Sequence, residues 1–253
     1  MRKIISIVHY EYKIQFKRLA TWGVLIVATV IALLDNFPSK SNLARLEFLK
    51  QPSYFIYRTM SLDALIIVFG LMFLMSNRLS IDNKTGVKPL IMASTIRKGQ
   101  YLFGKLLGGL LYTFSLICIF LILNTAVYYC AAPFEISITD CITPFLKTLV
   151  VSALSVSVFI SFCSIATPAL IDIRLFYLLA AVLFVFNASF VGTAEAVPCY
   201  LITAGNLIRL IWVHPKWSQV AMGSVISNLI FLIGCSLISV VLLLVKRKFW
   251  RSE

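Results

Sequence analysis

The stretch NRLSIDNKTGVKPLIMASTIRKGQYLFGK, Asn77 to Lys105, is the only long polar segment lying between two strongly apolar runs. It carries Arg78, Lys84, Lys88, Arg97, Lys98 and Lys105 against a single acid, Asp82. Basic loops are retained on the cytoplasmic side of a bilayer, so this segment is expected in the cytoplasm. In its middle, Val87 to Ala93 is mostly apolar, which a freely solvated loop does not need. A short amphipathic helix presented to a partner protein accounts for that, and so does a loop lying on anionic lipid.

Composition explains what flanks the stretch. Hydrophobic residues make up 60% of the chain and charged ones 13%, with a mean hydropathy of +0.94. A soluble domain carries roughly 25% charged residues, so an integral membrane protein is expected. A hydrocarbon core about 30 Å thick needs about 20 apolar residues per helix. Six runs approach that length, near Leu19–Leu34, Thr59–Ser76, Leu106–Cys130, Thr148–Ile171, Leu175–Val191 and Ser218–Val245. The first is the shortest. Lys13, Lys17 and Arg18 precede it, Asp35-Asn36-Phe37-Pro38 stops it, and no small-residue cleavage site follows, which is the pattern of a retained signal anchor.

Six spans put both termini on one side. That side collects 16 of the 23 Lys and Arg residues, so both termini are expected in the cytoplasm. Most of the net charge of +13 then belongs to topology, and no nucleic-acid partner is implied.

Ahead of the first span, residues 1–18 read as a basic amphipathic interface helix. Ile4, Ile5, Val8, Tyr12, Phe16 and Leu19 fall within an arc of about 120°, opposite Arg2, Lys3, His9, Lys13 and Lys17. It serves either as an anchor or as a platform passing force from a cytoplasmic partner. Glu11 sits at the boundary of the two faces, available to a basic loop or to Lys13 and Gln15 nearby. Aromatics between Asp35 and Arg58 suit an interfacial belt. Asp63, just inside the second span, is costly enough in hydrocarbon to need the bundle interior or a partner, and Arg58 is the nearest in sequence.

Further spans carry packing signals with polar alternatives. Gly104-x-x-x-Gly108-Gly109 lets another helix approach closely, and Asn124 can hydrogen-bond between helices. Ser157, Ser161 and Ser164 form one stripe, suited to packing or to a polar path. Asp172 and Arg174 share a short turn. Residues 192–217, with Glu195, Arg209, His214 and Trp217, read as short helices dipping into the outer interface, where Glu195 is a candidate gate and Trp212 and Trp217 are anchors. Asp63, Asn124, Ser157, Ser161 and Glu195 are thus the candidate pathway or gate residues.

The plan resembles a type-2 permease subunit of an ATP-binding-cassette exporter. A basic amphipathic helix leads into six spans, with a loop between spans two and three. The local match is Asp82 and Gly86, an apolar turn Val87–Ala93, Ser94-Thr95-Ile96-Arg97, and Tyr101-Leu102-Phe103-Gly104-Lys105. Family members commonly have Glu where Asp82 stands, and a Pro before the Ser/Thr-x-Arg step, where this chain has Ala93. The resemblance implies an all-α membrane fold, residues 1–253 forming one permease domain with its coupling loop at 77–105. It implies ATPase coupling through Asp82, Gly86, Ser94, Thr95, Arg97 and Lys105, with Glu11 from the first helix. It also implies a separate ATPase subunit, a second permease copy or a related permease, and export of a drug or antimicrobial peptide.

The residues agree with a divided labour. No GxxxxGK[ST] phosphate loop is present, and the polar segments are too short to fold an ATPase. ATP and Mg²⁺ are therefore expected on a partner chain, with no cofactor in this one. Six cysteines show no CxxC or Cys/His spacing for zinc. An intramembrane enzyme is the rival from another class, with two histidines and no HExxH or GxSxG in the sequence. The remaining alternative is a membrane immunity or binding protein without transport.

Overall fold

The computed structural model describes residues 2–37, 50–87, 90, 93, 96–190, 200–201 and 222–246. In chain order these form α1 (Arg2–Phe16), α2 (Leu19–Asn36), α3 (Pro52–Arg58), a π-helical turn (Thr59–Asp63), α4 (Ala64–Ser76) and α5 (Arg78–Lys84). They continue with α6 (Lys98–Ala131), α7 (Ile138–Thr148), a second π-helical turn (Leu149–Ala153), α8 (Leu154–Leu170), α9 (Ile173–Phe190) and α10 (Met222–Val245). Among the described residues there is no strand, and the fold is all-helical.

Among the described residues, five helices are long and apolar enough to cross a membrane: Leu19–Asn36, Pro52–Lys84, Lys98–Ala131, Ile138–Leu170 and Met222–Val245. The expected run Leu175–Val191 forms α9, whose apolar part, Ile173–Ser189, is shorter than those five. Hydrocarbon explains the surface. Leu34, Val150, Val182, Ile230 and Val245 are exposed, large apolar side chains of the kind that lipid rather than water covers. Apart from Tyr200 and Leu201, the external segment expected at 192–217 lies outside the described residues, as do Ser94, Thr95 and Glu195.

Local chemistry sets the ends of the elements. Pro52 opens α3, where its missing N–H costs nothing. Gly86 closes α5 at φ +73°, a left-handed turn that favours glycine. Lys246, after α10, donates to the carbonyls of Ala169 and Leu170 at 2.8 and 2.9 Å, capping the end of α8. Asp172 accepts the Arg174 backbone N–H at 2.7 Å, so it pairs locally, through backbone rather than through the Arg174 side chain.

The core gathers around α4, α6 and α8. Leu71, Met75, Ile117, Phe120, Val156, Ile160 and Ile165 are among its fully buried residues. On α2, Leu25, Ala28, Ala32 and Asn36 make the inward stripe. The Ser157, Ser161 and Ser164 stripe is buried as well. Ser157 and Ser161 return their hydroxyls to the Ala153 and Val158 carbonyls of their own helix, which lets α8 pack without exposing polar atoms.

With 34 residues, α6 is about 51 Å long at 1.5 Å per residue, well beyond a 30 Å hydrocarbon core. The excess is used by α1, which packs lengthwise along the Lys98 end. At Gly104 an added Cβ would meet Ile7 at 2.8 Å, and at Gly108 it would meet Glu11 Cβ at 2.7 Å and the Val8 carbonyl at 3.0 Å. The glycine pair thus receives the amphipathic helix. Gly109 receives Met75 and Ile165 from α4 and α8.

This packing gives α1 a side that faces the bundle. Its inward residues are Ile4, Ile7, Val8, Glu11 and Gln15, whereas Ile5 and Leu19 are exposed at 61% and 88%. Tyr12 and Phe16 are half-buried, with the Phe16 ring set edge-on to Tyr112 at 5.6 Å. The cause is a polar centre that draws Glu11 inward.

Candidate functional site

Three helices each contribute a pair of polar residues four apart, and that spacing puts both members of a pair on one face. The pairs are Glu11 and Gln15 on α1, Arg78 and Asp82 on α5, and Tyr101 and Lys105 on α6. All three faces meet at one buried centre. The Glu11 carboxylate takes Arg78 Nε at 2.5 Å on one oxygen, with Gln15 Nε2 at 2.9 Å on the same atom. Its second oxygen takes Arg78 Nη2 at 3.1 Å and Lys105 Nζ at 2.7 Å. Lys105 also pairs with Asp82 at 2.5 Å, and the Tyr101 hydroxyl donates to the same Asp82 oxygen.

Glu11, Arg78, Asp82, Lys105 and Tyr101 are all buried, none more than 4% exposed. Two carboxylates face two cations, so the tetrad has no net charge. Desolvating four ions is expensive, and it is tolerable only because each has an opposite partner. Burial by itself would raise the Glu11 pKa. The Arg78 hydrogen bond and the charges of Lys105 and Arg78 overcome that and hold the carboxyl at about 2, below its ordinary 4.5.

Other polar contacts extend the same layer. Arg18, between α1 and α2, donates to the Leu74 carbonyl near the end of α4 at 3.3 Å. Ser76 and Asn77 both reach the Tyr177 hydroxyl at 3.1 Å, tying the turn after α4 to α9. Thr21 and Tyr112 share a 2.8 Å bond between α2 and α6. One end of the bundle is therefore cross-linked by side chains from α1, α4, α5, α6 and α9.

The residues expected at the coupling loop divide into two sets. Asp82, Lys105 and Glu11 meet each other inside the chain and present nothing to an outside partner. Asp82 lies within α5, so it does not cap a following helix. Arg97 is exposed, its backbone N–H bonded to Gln100 at 3.1 Å at the start of α6. Leu90 is 73% exposed, and Lys84, Ala93 and Lys98 are exposed beside it in sequence. Gly86 makes the turn from the buried set to the exposed one.

The described pathway candidates do not all gather into one site. Ser157 and Ser161 are packing residues of α8. Asp63 and Asn124 are buried toward the Ala131 end of α6, and Arg58 pairs with Asp35 at 3.1 Å instead of with Asp63. Among the described residues, Cys118, Cys130, Cys141, Cys163 and Cys235 are free thiols, and no cluster of three or more His, Cys, Asp or Glu is gathered.

Sequence reasoning did not single out Arg78, Gln15 or Tyr101 as site residues. The signal was present in the i, i+4 spacing of each pair and in Asp82 being the one acid among six bases of the segment. Compared with known protein families, with curated proteins and with solved structures, the chain matches none.

Proposed function

We propose that the chain is the permease subunit of an ATP-driven exporter. In this reading six helices cross the plasma membrane, both termini lie in the cytoplasm, and a second copy or a related permease completes the pathway. A separate ATPase subunit binds ATP and Mg²⁺. The observation that supports it is the buried Glu11–Arg78–Lys105–Asp82 tetrad. It ties the amphipathic helix and the segment after α4 to the Lys98 end of α6, and the exposed residues Leu90 and Arg97 stand between Asp82 and Lys105 in the chain.

A force delivered at Val87–Arg97 would reach α6 through α5 and the tetrad. A neutral, fully paired charge centre resists local opening because separating any one pair leaves an uncompensated buried ion. The segment then tilts the helices as a unit, and alternating access follows from rigid-body movement. The docking role falls on the exposed residues, and Glu11, Asp82 and Lys105 carry transmission rather than contact. Walls with few charges suit an amphipathic or hydrophobic cargo.

The test is to purify the tagged chain in mild detergent from its native host and identify copurifying proteins by mass spectrometry. An ATPase subunit that comes with the wild type, and is lost on deleting Val87–Arg97, supports the reading. Arg97→Glu should reduce export while leaving the amount of inserted protein unchanged. A preparation that retains other cassette ATPases but none with this chain would overturn it, and leave a membrane immunity or binding protein.

A further inference from the structure

At the other end of the bundle a second buried polar layer has unmet hydrogen-bonding capacity. Four side chains define it: Asn36 at the end of α2, Thr59 and Asp63 in the first π-helical turn, and Asn124 on α6. They are 8%, 1%, 3% and 0% exposed. Among the described residues, Asp63 Oδ2, Thr59 Oγ1, Asn124 Oδ1 and both polar atoms of the Asn36 amide have no hydrogen-bond partner. The Asn124 amide nitrogen is used by the Phe120 carbonyl at 2.8 Å, which leaves its oxygen as the open atom.

Contacts along the helices place these residues at neighbouring levels. Phe55 on α3 stacks on Tyr128 of α6 with ring centroids 4.1 Å apart. One helical turn inward from that stack, in opposite chain directions, brings Thr59 and Asn124 to the same depth. The Asp35–Arg58 ion pair fixes the end of α2 beside the same turn, and Asn36 is the inward residue there. Asp63 lies one turn deeper, and the π-helical turn packs against both α2 and α6. A π-helical turn within a spanning helix is itself a feature that concentrates at functional sites.

We infer that Asp63, Asn124, Thr59 and Asn36 form a binding site for one monovalent metal cation, sodium in the first instance, between α2, the first π-helical turn and α6. The charge argument fixes the valence. When ionised, Asp63 brings one negative charge into the bundle, and Arg58 hydrogen-bonds Asp35 rather than Asp63, so one bound positive charge neutralises it and two would overshoot. The oxygen argument favours a metal ion over a proton. A proton satisfies one oxygen of Asp63, whereas a sodium ion accepts lone pairs from the carboxylate, the hydroxyl and both amide oxygens together. Carboxylate and neutral oxygens at a break in regular helix are a setting in which membrane proteins hold such ions.

The site belongs to this chain alone and needs no ATPase, so it is tested on the purified protein. Thermal unfolding is followed in detergent in sodium chloride and in choline chloride at equal ionic strength. The midpoint should rise only with sodium, by about 3–5 °C for each tenfold increase above the dissociation constant. Asp63→Asn keeps the shape and removes the charge, and it should lose the sodium dependence. Asn124→Ala should weaken apparent sodium binding at least tenfold. Because these variants are themselves open to misfolding, sodium-23 NMR line broadening by the wild type, reversed by excess lithium, provides a second readout. Equal midpoints in sodium and choline for the wild type would overturn the inference. So would stabilisation by acid alone, which would mean that the carboxyl takes a proton instead.

Discussion

Removing the Glu11 carboxylate is the sharpest perturbation of the charged tetrad. In Glu11→Ala, Arg78 loses both its Nε and Nη2 bonds to this residue, and Lys105 loses one of its two carboxylates. Arg78 is 2% exposed, so it cannot recover water without the packing opening. The centre passes from neutral to one net positive charge. Breaking a buried pair by deleting one partner costs about 3–5 kcal/mol, which in a chain of this size lowers the unfolding midpoint by on the order of 10 °C. The informative companion is Glu11→Gln combined with Lys105→Met. It removes one charge of each sign and leaves Arg78 with Asp82, so the pair should be more stable than Glu11→Gln alone. The assay is thermal unfolding of the detergent-purified protein followed by size-exclusion chromatography, with the exposed Lys13→Gln as control. A Glu11→Ala midpoint no lower than that of the control would refute the argument. Simple additivity of the two losses in the double variant would also refute it, because residues in one charge network are expected to couple.

Three further outcomes follow from the same geometry. The folded Glu11 pKa is about 2 against an ordinary 4.5. The stability it contributes is therefore fully present above about pH 4.5 and lost as pH falls toward 2, and Glu11→Gln should flatten the midpoint-versus-pH curve in that window. The charged groups facing Glu11 are Arg78 and Lys105, with Asp82 behind Lys105, so the loss exposes positive charge. Gly108→Val would drive side-chain atoms into Glu11 and the Val8 carbonyl. It should cost about 1–3 kcal/mol and open α1 to limited proteolysis, whereas Gly23→Ala, with nothing within 4 Å of the added carbon, should leave the cleavage pattern unchanged. Gly86→Ala meets no neighbour but must hold φ +73°. It should cost about 1 kcal/mol, read as a small drop in midpoint with no change in oligomer size.

The helices were legible because hydropathy runs are long, but their ends were less so. α6 begins at Lys98 rather than Leu106, since its first turns lie outside the apolar run and are covered by α1. The two π-helical turns have no residue signature, and they arise within segments that read as ordinary helix. Glu11 was visible as an ambiguous residue between two faces. A helical wheel ranks positions by hydropathy, and it cannot weigh a carboxylate whose partner stands 67 residues away. Nor does hydropathy separate lipid from core: of the apolar arc, Val8 and Tyr12 are half-buried against the bundle, whereas Ile5 and Leu19 are exposed. Arg58 is the base nearest to Asp63 in sequence. Asp35 takes it instead, because α2 ends beside α3 in space.

The two polar layers differ in one respect that bears on what each can do. Around Glu11 every charge is balanced by a neighbour in the same chain, and the hydrogen bonds tie three helices together. A centre of that kind is suited to stay closed while the helices move, which is what transmission requires. Around Asp63 no described side chain hydrogen-bonds the open carboxylate oxygen, and the open atoms are mostly oxygens. Leaving several acceptors empty within hydrocarbon costs more than 1 kcal/mol each, so the layer has reason to exist only if something fills it. A bundle locked at one end and completed by an occupant at the other changes its packing where the occupant binds. The distinction makes separate demands on the variants: Glu11→Gln should weaken the fold in sodium and in choline alike, whereas Asp63→Asn should act only through the ion.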